Sequence, residues 1–111
     1  MKHFAFNTVV ENQIETCKDM LIRKSDEYSG ASDRLHNFRV AASLKGVTQK
    51  QALAGMMAKH TVSVYDMIRD DKEYSAEQWS EKITDHINYL LLLRAMVEDE
   101  LTTKQLVDSQ E

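Results

Sequence analysis

Proline is absent from this chain, and glycine and cysteine are scarce, with three and one residues respectively. Turn-rich sheet proteins and disordered chains use proline and glycine heavily, whereas 42% hydrophobic and 29% charged residues are typical of a helical globular protein. The single cysteine, Cys17, excludes an internal disulfide and any cysteine-rich metal site. No glycine-rich phosphate loop, HExxH motif or G-x-S-x-G motif occurs, so the common enzymes built on them are excluded.

The chain also lacks a net positive charge and any long apolar run. The net charge of -4 argues against nonspecific binding to nucleic acid, which requires a basic surface. The longest apolar run, from Tyr89 to Leu93, is far shorter than the roughly 20 residues of a transmembrane helix. We therefore expect a cytoplasmic protein with no membrane partner. A chain of 111 residues corresponds to one domain.

Apolar residues at helical spacing predict four helices. The first is predicted to begin at Asn7 or Thr8, either of which can cap it, and to end near Tyr28. A short second helix is predicted over residues 34–44, with Gly46 just past its end. The predicted fold is all-α, an antiparallel helical bundle of three long helices and one short helix.

Two capping boxes, Thr48 to Gln51 and Ser75 to Gln78, mark the starts of the third and fourth helices. The third helix should end between residues 70 and 73, and the fourth near Leu101. Residues 1–101 then form the single domain. The polar residues 102–111 are predicted to form a frayed tail.

The fourth predicted helix is apolar on nearly every side. Trp79, Ile83, Ile87 and Leu90 define one face, and a second group extends toward the opposite face: Tyr89, Leu92, Leu93 and Met96. A helix that is apolar all round is normally buried all round, and a bundle this small cannot cover it. The sequence therefore predicts a homo-oligomer formed through helix 75–101.

Three polar residues on that helix, Glu81, Asp85 and Asn88, are spaced by four and three residues and so share one face. Carboxylate oxygens bind hard cations, which makes a magnesium or phosphate-linked site one interpretation. The alternative is a structural one, in which Asp85 pairs with Lys59 or Arg34 or the face is simply solvated. Glu81 lies near the helix start, where negative charge is favoured in any case.

A second polar cluster surrounds the turn after the first helix. Lysine and arginine bind phosphates, and an aromatic ring can stack on a base. The cluster comprises Lys24, Asp26, Tyr28, Arg34, Asn37 and Phe38. The alternative interpretation is a capped loop, with Asp33 as the helix cap and Phe38 as a core residue.

The third helix carries Lys59 and His60. His60 lies on the apolar stripe, where a core histidine with a hydrogen-bonded partner is the simpler interpretation. Lys59 lies beside that stripe and could bring positive charge to Asp85 or to a ligand phosphate.

The residues of these three polar clusters, taken in chain order, form a pattern over about residues 20 to 98. It resembles small helical proteins common in bacteriophage genomes, related to the nucleotide-modification-associated and MazG-like all-α nucleotide pyrophosphohydrolase groups. The segments that carry the resemblance are Lys24-x-x-x-Tyr28-x-Gly30, Asp33-Arg34-x-x-Asn37-Phe38-Arg39, Lys59-His60 and Asp85-x-x-Asn88-Tyr89-Leu90.

The resemblance implies a helical bundle, oligomerisation and the handling of nucleotides or their phosphates, usually with Mg²⁺. Asp85 would be the metal ligand, supported by Glu81 and by Asp26 or Glu27. Glu81 and Asp85 are spaced one residue further apart than the Glu-x-x-Asp of the MazG-like pattern. A phage-encoded chain would act in the host cytoplasm.

Three functions remain open at this point. The chain could hydrolyse a nucleotide, sequester a nucleotide signal or bind a host protein without catalysis, or serve as a structural bundle. The predicted ligand-binding residues are Lys24, Asp26, Tyr28, Arg34, Asn37, Phe38, Lys59, His60 and Asn88, with Asp85 and Glu81 as metal ligands.

Overall fold

A computed structural model describes residues 1–23 and 33–110, and within these ranges the protein is all-helical. The elements in chain order are α1 (His3–Lys18), a π-helical segment (Asp19–Arg23), α2 (His36–Lys45), α3 (Gln49–Arg69) and α4 (Ala76–Gln110). In the part of the chain that is described, no helix combines the length and the apolar character needed to cross a membrane.

Local sequence signals determine where three of the helices meet their turns. The Thr48 hydroxyl accepts a hydrogen bond from the Gln51 backbone, and the Gln51 side chain accepts one from the Thr48 backbone, which confirms the first capping box. Ser75 and Gln78 make the same reciprocal pair before α4. Gly46 ends α2 with a φ of 67°, a left-handed conformation that suits glycine.

Two helices extend further than the sequence predicts. α1 begins at His3 rather than at Asn7 or Thr8, because the Thr8 hydroxyl bonds back to the carbonyl oxygen of Phe4 inside the helix instead of capping it. α4 continues past Leu101 to Gln110, since this polar stretch contains neither glycine nor proline to end it.

The long helix α4 packs against α1 and α3, and α2 packs against α3. α3 runs antiparallel to it, as shown by Lys50 Nζ lying 3.0 Å from Glu100 Oε2 and Thr61 Oγ1 lying 3.0 Å from His86 Nε2. α1 runs in the same direction as α4, because Gln13 bonds to Thr84 at 2.8 Å while Leu21 lies near Leu92. The predicted antiparallel arrangement therefore describes α3 against α4 but not α1.

The hydrophobic core is small and lies where α2, α3 and α4 meet. Its buried members are Leu35, Phe38, Leu53 and Met96. The molecule is elongated, with a radius of gyration of 17.1 Å and a longest dimension of 55 Å. A compact domain of about 100 residues has a radius of gyration of about 13 Å. Much of α1 and α4 therefore extends beyond the core.

Candidate functional site

A cavity of about 660 Å³ lies beside the core. It is bounded by the π-helical segment, the start of α2, Met56 of α3 and one face of α4. The lining residues are Met20, Leu21, Arg34, Asn37, Phe38, Met56, Glu81, Asp85, Asn88, Tyr89 and Leu92. We call this space the polar cavity, because charged and amide side chains line it together with two aromatic rings.

α4 supplies the polar wall of this cavity. Glu81, Asp85, Asn88 and Leu92 follow one another at spacings of four, three and four residues, which keeps them on one helix face. The capping box before α4 fixes where this helix starts. The predicted shared face of Glu81, Asp85 and Asn88 is thus confirmed as part of a cavity wall.

Asp85 has little to neutralise its charge. Its side chain is 32% exposed, and partial burial raises its pKa, an effect that the nearby negative charge of Glu81 reinforces. His60 and Lys82 act in the opposite direction. Among the described residues the one basic group within 4 Å is His60, whose Nδ1 lies 3.9 Å from Asp85 Oδ2. Asp85 is therefore a partly desolvated carboxylate with a loose partner.

His60 lies behind the cavity wall and contacts Tyr89, which lines the cavity. The His60 ring is tilted against the Tyr89 ring, with centroids 4.8 Å apart. His60 Nδ1 is buried and has no hydrogen-bond partner in residues 1–23 and 33–110. Burial raises the pKa of Tyr89, and the charge of Asp85 adds to this effect. His60 does not line the cavity itself, but it contacts two residues that do.

Asn88 is the most buried polar residue of the cavity wall, at 6% exposure. Its Oδ1 has no hydrogen-bond donor within the part of the chain that is described. A buried acceptor without a donor is costly, and nearly all such groups in folded proteins are paired with protein or water. The Asn88 side chain therefore lines the cavity with an acceptor that the described residues leave unpaired.

The opposite edge of the cavity carries positive charge. Arg34 is exposed, and its Nη1 donates to the carbonyl oxygen of Leu21 at 2.7 Å, which holds the guanidinium beside the π-helical segment. Asp33 accepts a bond from the Leu35 backbone at 3.0 Å and pairs with Arg39. Arg39 in turn reaches Asp99 on α4 at 3.0 Å, so the start of α2 is fixed against α4.

Six of the predicted site residues meet at this cavity: Arg34, Asn37, Phe38, Glu81, Asp85 and Asn88. Phe38 is a core residue, as one interpretation predicted, and it also lines the cavity. Lys24, Asp26 and Tyr28 lie outside the described residues. Lys59 is exposed and is not among the lining residues, and within the described ranges Asp85 has its ion pair with His60 rather than with Lys59.

Sequence reasoning did not predict the contribution of Met20 and Leu21. They lie in the π-helical segment, where wider turns shift side chains away from the positions expected for an α-helix. No residue type signals this change in advance. π-Helical turns are frequent at functional sites, which agrees with their place at this cavity.

The carboxylates of the cavity suit magnesium only in part. In the described ranges no three His, Cys, Asp or Glu side chains come together in a group that could hold a metal. Mg²⁺ is commonly held by one or two carboxylates together with substrate phosphates, and Glu81 and Asp85 could provide that pair. A cation there would also offset the burial and repulsion that raise the pKa of Asp85.

Comparisons with protein-family models, with curated proteins and with solved structures found no match to this chain.

Proposed function

We propose that this protein binds a nucleotide or nucleotide derivative in the polar cavity. The observation that carries the proposal is the convergence of Arg34, two amides and two carboxylates on a cavity with aromatic walls. Binding sites for small molecules are characteristically apolar cavities with a few convergent polar groups, and a volume of several hundred Å³ suits a nucleotide.

Each part of the cavity matches one part of such a ligand. The guanidinium of Arg34 can bind phosphate oxygens through two parallel hydrogen bonds. Phe38 and Tyr89 present rings against which a base can pack, and Asn88 presents an amide that can pair with a base edge. These roles are argued from the residues that line the cavity.

The more specific part of the proposal is that the bound nucleotide is hydrolysed. Glu81 and Asp85 would hold Mg²⁺, which would polarise the phosphates and favour attack by water on a phosphoanhydride bond. His60, close to Asp85, would keep that carboxylate oriented. The second candidate is a non-catalytic binding protein, which is favoured by the pairing of Asp85 with a histidine rather than with further carboxylates.

Ligand-induced thermal stabilisation tests the binding. Nucleoside mono-, di- and triphosphates, with and without Mg²⁺, should raise the melting temperature, because a ligand that binds only the folded state stabilises it. Arg34→Ala removes a charged contact worth about 1.5–3 kcal/mol, so it should weaken binding by roughly 10- to 150-fold. The matched control is Arg69→Ala, since Arg69 is exposed and does not line the cavity.

Pyrophosphate and phosphate release under the same conditions separates the two candidates. Release that disappears in Asp85→Asn supports an enzyme, whereas stabilisation without release supports a binding protein. If no nucleotide stabilises the protein, or if Arg69→Ala weakens binding as much as Arg34→Ala, the cavity is not a nucleotide site.

A further inference from the structure

The face of α4 that points away from the polar cavity carries a second regular pattern. Six residues follow at alternating spacings of four and three, and we call them the α4 seam: Ile83, Ile87, Leu90, Arg94, Val97 and Leu101. This is the heptad spacing of a coiled coil, in which such residues form the contact between two helices. Five of the six are apolar.

Four of the six residues of the α4 seam are exposed, and Ile87 and Val97 are partly buried. Ile83 is 39% exposed, and Leu90 and Leu101 are each 50% exposed. α1 packs on a different face of α4, through Thr84, and α3 packs on another, through His86 and Glu100. Among the described residues, neither α1 nor α3 covers the seam. Leu91, which lies beside the seam, is 45% exposed.

We propose that the α4 seam pairs with the same seam of a second copy of this chain, antiparallel, to form a two-fold symmetric dimer. Antiparallel coiled-coil packing sets each residue opposite one from the other half of the seam. Leu90 then faces Arg94 of the second copy, Ile87 faces Val97, and Ile83 faces Leu101. Every contact occurs twice, as two-fold symmetry requires.

Charge selects the antiparallel orientation. In a parallel pair, the two Arg94 side chains would occupy the same layer, where like charges repel. In the antiparallel pair each Arg94 packs its apolar stem on Leu90 of the other copy and keeps its own ion pair with Glu98, whose Oε1 lies 2.6 Å from Arg94 Nη2. A polar residue at one seam position commonly fixes register in this way.

The helices need no ordering before they pair. The seam spans about 27 Å of a helix that the rest of the fold already holds, so dimerisation has no helix-forming cost. The polar cavity lies on the other side of α4 and remains accessible in the dimer.

Molar mass in solution tests the dimer. Light scattering during size-exclusion chromatography should give twice the 12.8 kDa chain mass at micromolar concentration. Leu90→Lys sets a positive charge opposite Arg94 of the second copy, and this like-charge contact should raise the dissociation constant by at least about tenfold. The control is Leu44→Lys on α2, where an 82% exposed leucine lies away from the seam. A monomeric wild type, or equal effects of the two variants, overturns the proposal.

Cysteine crosslinking tests the orientation without a disruptive variant. Ile83→Cys and Leu101→Cys, differing in tag length, are oxidised separately and as a mixture. The antiparallel register predicts crosslinks only in the mixture, between the two different chains. Crosslinks within each separate variant would indicate parallel pairing, and an absence of crosslinks would indicate that the seam is not the interface; either result overturns the proposal. Cys17 is buried and common to both variants.

Discussion

Replacing Asn88 by leucine should stabilise the ligand-free protein while abolishing ligand binding. Asn88 is 6% exposed, and its Oδ1 has no donor in the described residues, a state that costs about 1–3 kcal/mol. Leucine has the same branching at Cγ and adds apolar contact, so Asn88→Leu should raise the free energy of unfolding by about 1–3 kcal/mol. For a chain of this size, the melting temperature rises by about 4 °C for each kcal/mol.

Urea denaturation and thermal melting of the ligand-free protein measure this change. An unchanged slope of the unfolding free energy against urea would show that the variant alters stability without altering the compactness of the native or the unfolded state. Asn37→Leu is the matched control, because Asn37 lines the same cavity but is exposed, so its stability should change by less than about 0.5 kcal/mol. A loss of stability in Asn88→Leu would show that the amide is a paired structural group and refute the reasoning.

Two further predictions concern Asp85 and the core. Because its pKa is raised in the folded state, Asp85 stabilises the fold below its ordinary value of 3.8, and this contribution is lost as the pH rises through the folded pKa. Asp85→Asn should therefore stabilise the protein near neutral pH, and denaturation across pH should show the gain shrinking toward pH 3.8. Met96→Ala removes a fully buried core side chain and should cost about 2–5 kcal/mol in urea denaturation.

A specific result would contradict each of these two predictions. A stability difference between Asp85→Asn and wild type that does not change with pH would show that ionisation of Asp85 is not its cause. For the core prediction, Met1→Ala is the control, since Met1 is 90% exposed. Similar effects of the two methionine substitutions would show that the core does not lie around Met96.

The fold could be predicted where local chemistry determines it. Thr48, Gly46 and Ser75 each act on neighbouring residues, so the boundaries that they set are readable from the sequence. The direction of α1 relative to α4 could not be read in this way. It depends on contacts between distant residues, such as Gln13 and Thr84, which have no local signature.

The candidate site was predictable to a similar extent. Asp85 and Asn88 share a helix face by spacing alone, so their joint place on the cavity wall follows from the sequence. The partner of Asp85 did not follow, because Lys59 and His60 are adjacent on α3 and only the rotation of that helix decides which one faces α4. The structure brings His60 within 3.9 Å and leaves Lys59 exposed.

The π-helical segment forms a wall of the cavity, and the shape of that wall depends on the number of residues in the segment. A π-helix has more residues in each turn than an α-helix, so deleting one residue between Asp19 and Arg23 would restore α-helical geometry. Met20 and Leu21 would then turn to other directions, while the Gln13 contact upstream would keep α1 on α4. A single-residue insertion or deletion at this point would therefore reshape the cavity without rebuilding the helices that support it.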